Sequence, residues 1–195
     1  MTNKESNKYL LIVLIAMFIF FGCARDNPET ITNPPNIQKI YPINTYTLTI
    51  PEPSGIAYNS KNNSLMVVSD GYPNIYEIGF TGITLNTIIA TGSDMEGITL
   101  SKNCDTIYVV EEKKKVVTAF NLNGVKLYSF SANVATSDNS AMEGITINKT
   151  TNTLYVINEK DPRMILGYNN LIEIWRKTID YATDISDIYY EESTN

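Results

Sequence analysis

The chain contains no histidine. That absence removes Ser–His–Asp and Cys–His nucleophile pairs, histidine-ligated zinc and any imidazole acid–base step. Cysteine is nearly missing too: Cys23 and Cys104 are the only two, too few for a disulfide framework. Positive charge is scarce. Fifteen Lys and Arg stand against 21 Asp and Glu, a net charge of −6, with no basic patch to neutralise phosphates. Nucleic acid is therefore not an expected partner. Charged residues make up only 18% of the chain and hydrophobic ones 43%, which suits neither a disordered chain nor a polytopic membrane protein. Chemistry is left to carboxylates, hydroxyls, tyrosines, lysines or shape.

What is present begins with an export signal. Lys4 and Lys8 precede an uncharged apolar run of 13 residues, Tyr9 to Phe21. That length fits the apolar stretch of a signal peptide and falls short of the ~20 residues of a membrane-spanning helix. The run ends at Phe20-Phe21-Gly22-Cys23. A small residue directly before a cysteine at this place resembles the lipobox of bacterial lipoproteins, with Phe20 and Phe21 where Leu and a small residue are usual. The resemblance implies cleavage after residue 22, a diacylglyceryl anchor on Cys23, attachment to a membrane and a place in the bacterial cell envelope. A plain signal peptide with an incidental cysteine is the alternative. With Cys23 acylated, Cys104 is left without an intramolecular partner, in the polar turn Ser101-Lys102-Asn103-Cys104-Asp105. Lacking a histidine to activate it, that thiol is expected to be incidental. Residues 23–50 read as a tether with Pro28, Pro34 and Pro35, ending in a lead-in strand at Tyr46-Thr47-Leu48-Thr49-Ile50.

Residues 51–195 carry an internal repeat. Four segments align: Ser54-Gly55-Ile56, Glu96-Gly97-Ile98, Glu143-Gly144-Ile145 and Ser186-Asp187-Ile188, with successive spacings of 42, 47 and 43 residues. Ten residues after each glycine a second strand begins, at Leu65, Ile107 and Leu154, and 15 residues after each glycine stands an acid, Asp70, Glu112 and Glu159. Third strands follow at Asn74 to Ile78, Val116 to Phe120 and Met164 to Tyr168; fourth strands are expected at Ile83 to Ile89, Lys126 to Phe130 and Leu171 to Trp175. Four short strands in roughly 40–50 residues is the period of a β-propeller blade. The expected fold is therefore an all-β propeller of four-stranded blades, with an open β-sandwich as competitor. Glycine at the head of each innermost strand is explained by crowding at the axis, where a side chain would meet the next blade.

These residues resemble a known family. Ser54-Gly55-Ile56-Ala57-Tyr58-Asn59, Leu65-Met66-Val67-Val68-Ser69-Asp70 and Ile75-Tyr76-Glu77-Ile78 look like the first blade of the SdiA-regulated propellers. Glu143-Gly144-Ile145 and Asn158-Glu159-Lys160-Asp161-Pro162-Arg163 look like that family's Glu-Gly-Ile and Lys-Glu-Lys-Asp-Pro-Arg signatures. The resemblance covers Pro53 to Asn195 and implies an envelope protein, often a lipoprotein, with a complete fold of six blades. Here about three and a third repeats are present. A truncated or interrupted reading frame is the leading expectation; a partial propeller that self-associates and an open solenoid-like form are the alternatives.

The recurrent acids form the one constellation with a chemical role. Glu96 and Glu143 head innermost strands and should face the mouth of the channel, whereas Asp70, Glu112 and Glu159 should lie at its rim. Carboxylates converging there would supply the oxygen ligands of a Ca²⁺ ion, a cofactor the resemblance to six-bladed folds also implies. The bland alternative is that each acid caps a turn or pairs with Lys113, Lys114, Lys115, Lys160 or Arg163. Glu111 to Lys115 reads as a solvated hairpin turn. Two functional classes follow. One is a non-enzymatic binding or scaffold module for an unknown protein, glycan or small molecule. The other is a calcium-dependent phosphoesterase or esterase resembling the phytase-like propellers.

Overall fold

A computed structural model describes residues 41–134 and 141–192. The signal segment, Cys23 and most of the tether lie outside the described residues. The chain divides into two compact units, Met1–Ile43 and Asn44–Asn195. Of the first, only the exposed Tyr41, Pro42 and Ile43 are described. Among the described residues the second unit holds twelve strands, and no helix there is long and apolar enough to cross a membrane.

The strands group in sequence order into three antiparallel meanders of four. The first contains β1 (Pro53–Asn59), β2 (Ser64–Ser69), β3 (Asn74–Ile78) and β4 (Thr84–Ile89). The second contains β5 (Met95–Leu100), β6 (Thr106–Glu111), β7 (Val116–Asn121) and β8 (Lys126–Ser131). The third contains β9 (Met142–Asn148), β10 (Thr153–Asn158), β11 (Met164–Asn169) and β12 (Ile172–Thr178). These are propeller blades, packed face to face with β1 beside β5 and β5 beside β9. Local sequence explains the layering. Along β6, Ile107 and Val109 join the core shared with the first blade, while the intervening Tyr108 and Val110 join the core shared with the third. A strand buried on both faces needs a continuous apolar run, and β6 has one.

At the axis the three glycines stack as crowding requires. A Cβ on Gly55 would run into the Glu96 carbonyl oxygen, and one on Gly97 would lie 2.7 Å from that of Glu143. Gly144 meets the Cα of Asp187 in the same way, at 2.9 Å.

Two expected strands are not strands. Tyr46 to Ile50 carries no ladder, although Leu48 and Ile50 do turn inward. They cover Leu65, Val67, Tyr76 and Ile78 on one face of the first blade, where a segment meets side chains and not the backbone groups of a sheet edge. Ser186 to Tyr190 lies beside β9, donating from the Tyr190 amide to Thr146 Oγ1 at 3.1 Å and stacking Tyr190 on Tyr155. An innermost strand takes its ladder from the second strand of its own blade, and none follows among the described residues.

Candidate functional site

Each innermost strand opens with the same irregularity. Its register against the second strand shifts between Pro53 and Ile56 and between Met95 and Ile98, and β9 pairs Met142 with Asn158 and Ile145 with Val156 in the same way. An extra residue in one strand re-aims the side chains around it. Here it governs Ser54-Gly55, Glu96-Gly97 and Glu143-Gly144. The acid just after each second strand is tied by its own amide to the residue just before the bulged strand: Asp70 donates to the Glu52 carbonyl at 3.1 Å, Glu112 to Asp94 at 2.9 Å and Glu159 to Ala141 at 2.7 Å.

The consequence is that acids distant in sequence meet across the seams between blades. Asp70, Asp94 and Glu96 form one trio of carboxylates, and Glu112, Glu143 and Glu159 form another, each with ligand atoms within 4.8 Å of one another. All five acids expected from the repeat are brought into these groups. Asp94 is the one that the repeat alignment missed. It stands two residues before Glu96, as Glu52 stands before Ser54 and Asp184 before Ser186, so extending the alignment upstream would have found it.

Neighbours differ between the trios. Ser54 Oγ donates to Glu96, and Lys113 donates to Asp94 through both its ammonium and its backbone amide, the latter at 2.8 Å. Burial pulls Asp94 upward, but those Lys113 bonds outweigh it and hold its carboxyl below the usual range. Asp70 is pushed up, first by burial and then by the Asp94 carboxylate beside it. Glu96 is raised by burial against the opposing bond from Ser54. In the second trio Glu112 accepts from the Ala141 amide at 3.2 Å and is still raised by burial, while Lys160 lies 2.5 Å from Glu159. Of the six acids Glu143 is pushed furthest, to about 7, by burial first and then by Glu96, Glu112, Glu159 and Asp184.

Local pairing therefore holds for some acids and not for others. Lys160 pairs with the adjacent Glu159, whereas Lys113 passes over Glu112 to reach Asp94. Arg163 donates to the Ile179 carbonyl instead of to a carboxylate of the trio. The run from Glu111 to Lys115 is less solvated than its composition suggests. Glu111 is buried, bonded to Thr118, Lys114 and the Ser93 amide. Cys104 is a buried thiol 3.4 Å from Ser60 Oγ, part of the apolar core between the first two blades.

The donor set of both trios is all carboxylate oxygen, which fits a hard cation such as Ca²⁺ and not a metal that prefers nitrogen or sulfur. Further along the same innermost strands Ile56, Tyr58, Leu100 and Ile147, with Tyr190 from the segment beside β9, line a cavity of about 310 Å³.

Comparison with known proteins agrees with this architecture. The profile of the SdiA-regulated family matches residues 42–195. No curated protein matches the chain. Among solved structures, the hydrazine synthase of Kuenenia stuttgartiensis is similar with a TM-score of 0.56 at 13% identity, covering 75% of this chain and 41% of that one. The virginiamycin B lyase of Staphylococcus aureus is similar with a TM-score of 0.51 at 20% identity, covering 67% and 42%. Identities this low speak for a shared fold alone. The chain spans about two fifths of the length of these solved structures.

Proposed function

Because the chain belongs to the SdiA-regulated family and folds into propeller blades, we propose that it is a lipid-anchored binding or scaffold module of the bacterial cell envelope. The lipobox-like Phe20-Phe21-Gly22-Cys23 supports the anchor and the location. The acidic end of the channel is the ligand-facing end. One observation carries this reading: acids from separate blades converge there in two trios, with Glu143 half-buried among other carboxylates. A cluster of that kind favours a cationic partner, and Ca²⁺ is the first ligand to offer it. Glu112, Glu143 and Glu159 would hold the ion at one seam, Asp70, Asp94 and Glu96 at the other. A bound ion would bridge neighbouring blades and order the loops that present a protein, glycan or small-molecule ligand.

The test is a calcium titration of the full chain, followed by thermal unfolding. Millimolar Ca²⁺ should raise the melting temperature, a chelator should reverse the rise, and Glu143→Gln should reduce it. An unchanged melting curve with and without calcium removes the cation from the proposal. The same convergence favours a second reading, a calcium-dependent phosphoesterase, in which carboxylates and ion would activate water. Turnover on a panel of phosphoesters that disappears in Glu96→Gln would make that reading the better one.

A further inference from the structure

The two seams between blades use the same repeat positions but are not equally filled. Between the first and second blades, Met66 of β2 and Phe120 of β7 are sealed in an apolar core with Cys104 and Ile107. The strand registers put Tyr108 of β6 at the position of Met66, and Tyr168 of β11 at the position of Phe120. Both tyrosines are more than nine-tenths buried, at 7% and 3% exposure. Between the second and third blades they line a cavity of about 320 Å³, together with Tyr128, Asn152, Leu154 and Asn170. Because each blade is a meander, this cavity lies at the end opposite the acids, near the hairpins joining β9 to β10 and β11 to β12.

The hydroxyls in this cavity are poorly bonded. Tyr128 donates to Tyr108 only over 3.5 Å, and Tyr168 donates to Glu173 Oε2 over 3.5 Å. A good O–H···O bond is nearer ~2.7–2.8 Å. The Tyr108 and Tyr128 hydroxyls thus share a single long contact. Burial pushes the Tyr108 phenol up and that of Tyr168 to about 12, so both remain protonated donors. No charged side chain lines the cavity, and the nearby Glu173 is already gripped by Arg176, whose Nη2 lies 2.6 Å from Oε2. Neutral walls of phenol, amide and leucine suit a neutral ligand that combines an apolar face with several hydroxyls. The volume lies at the lower end of the ~300–1,000 Å³ of small-molecule sites.

We propose that the cleft between the second and third blades is a carbohydrate site that takes a neutral pyranose residue. A sugar's C–H face would lie on the partly exposed ring of Tyr128 while the hydroxyls of Tyr108 and Tyr168 and the two asparagines bond its own hydroxyls. The proposal depends on neither the acid trios nor a bound cation.

Saturation-transfer NMR on the full chain with maltose, cellobiose and N,N′-diacetylchitobiose tests it. At least one of these sugars should bind, with Tyr108→Phe and Tyr168→Phe each weakening it about tenfold. Tyr181→Phe, at an exposed position away from the cleft, should leave binding intact. The double change Tyr108→Met with Tyr168→Phe copies the first seam and should abolish binding. Absence of transfer to all three sugars, or equal transfer in both single Phe variants, would overturn the proposal. So would equal loss of binding in Tyr181→Phe.

Discussion

Glu96-Gly97-Ile98 and Glu143-Gly144-Ile145 are the same three residues at the same place in successive blades, yet they meet different neighbours. Glu96 looks back on Ser54, whose hydroxyl donates to it. Glu143 looks back on Glu96 itself, a second carboxylate, which adds to the larger effect of burial in raising its carboxyl to about 7. The isoleucines teach the same lesson. Ile98 and Ile145 are sealed against the preceding blade at 4% and 3% exposure, whereas their counterpart Ile56 has no blade before it among the described residues and is 54% exposed. In a repeat protein, a residue takes its chemistry from the neighbouring copy as much as from its own.

The largest expected effect breaks the isoleucine comparison. Ile98→Ala should cost about 2–5 kcal/mol of stability, and Ile56→Ala less than about 1 kcal/mol, since little is buried there to lose. Denaturant midpoints of the two variants measure the gap, and equal losses would mean that the outer face of the first blade is covered in solution. Next comes the axis. Gly97→Ala places a methyl group against the Glu143 carbonyl and should destabilise by about 1–3 kcal/mol. Because it pushes the second and third blades apart, it should also relieve Glu143 from Glu96, which NMR titration of the Glu143 carboxyl would detect.

A smaller effect concerns pH. Glu143 has a folded-state value of about 7 against an ordinary 4.5, so the folded protein holds its proton more tightly than the unfolded chain. Its contribution is favourable below the ordinary value and is lost as pH rises from 4.5 through about 7. For a half-exposed group screened by solvent, the loss is on the order of 1 kcal/mol. Glu143→Gln should flatten that part of the stability profile; an unchanged slope would assign it to other acids. The smallest effect tests the serine. Ser54→Ala removes a bond that holds Glu96 down, so the Glu96 carboxyl should titrate higher, toward the behaviour of Glu143.

The blade strands were legible because their signals are local. Leu65 to Val68, Ile107 to Val110 and Leu154 to Ile157 are short apolar runs rich in valine and isoleucine and bounded by turn residues, and each became the core of a second strand. Tyr46 to Ile50 misled because alternation reports which side chains turn inward, and a segment lying on a sheet face alternates like one within a sheet. The site was legible in part. Offsets from the glycines picked out Asp70, Glu96, Glu112, Glu143 and Glu159, but not Asp94, whose backbone is left-handed at φ 56° and whose repeat partner in the third blade is Ala141.

The order of strands, the blade period and the need for glycine at the axis were all set by the sequence alone, since each follows from residue spacing along one chain. Which acids share a trio, why Glu143 and not Glu96 is pushed furthest, and why Tyr108 and Tyr168 line a cavity while Met66 and Phe120 fill one were decided only in three dimensions. Those properties belong to pairs of residues in different blades. Their strength depends on the distance and burial created when one blade packs on the next, quantities that no single repeat contains.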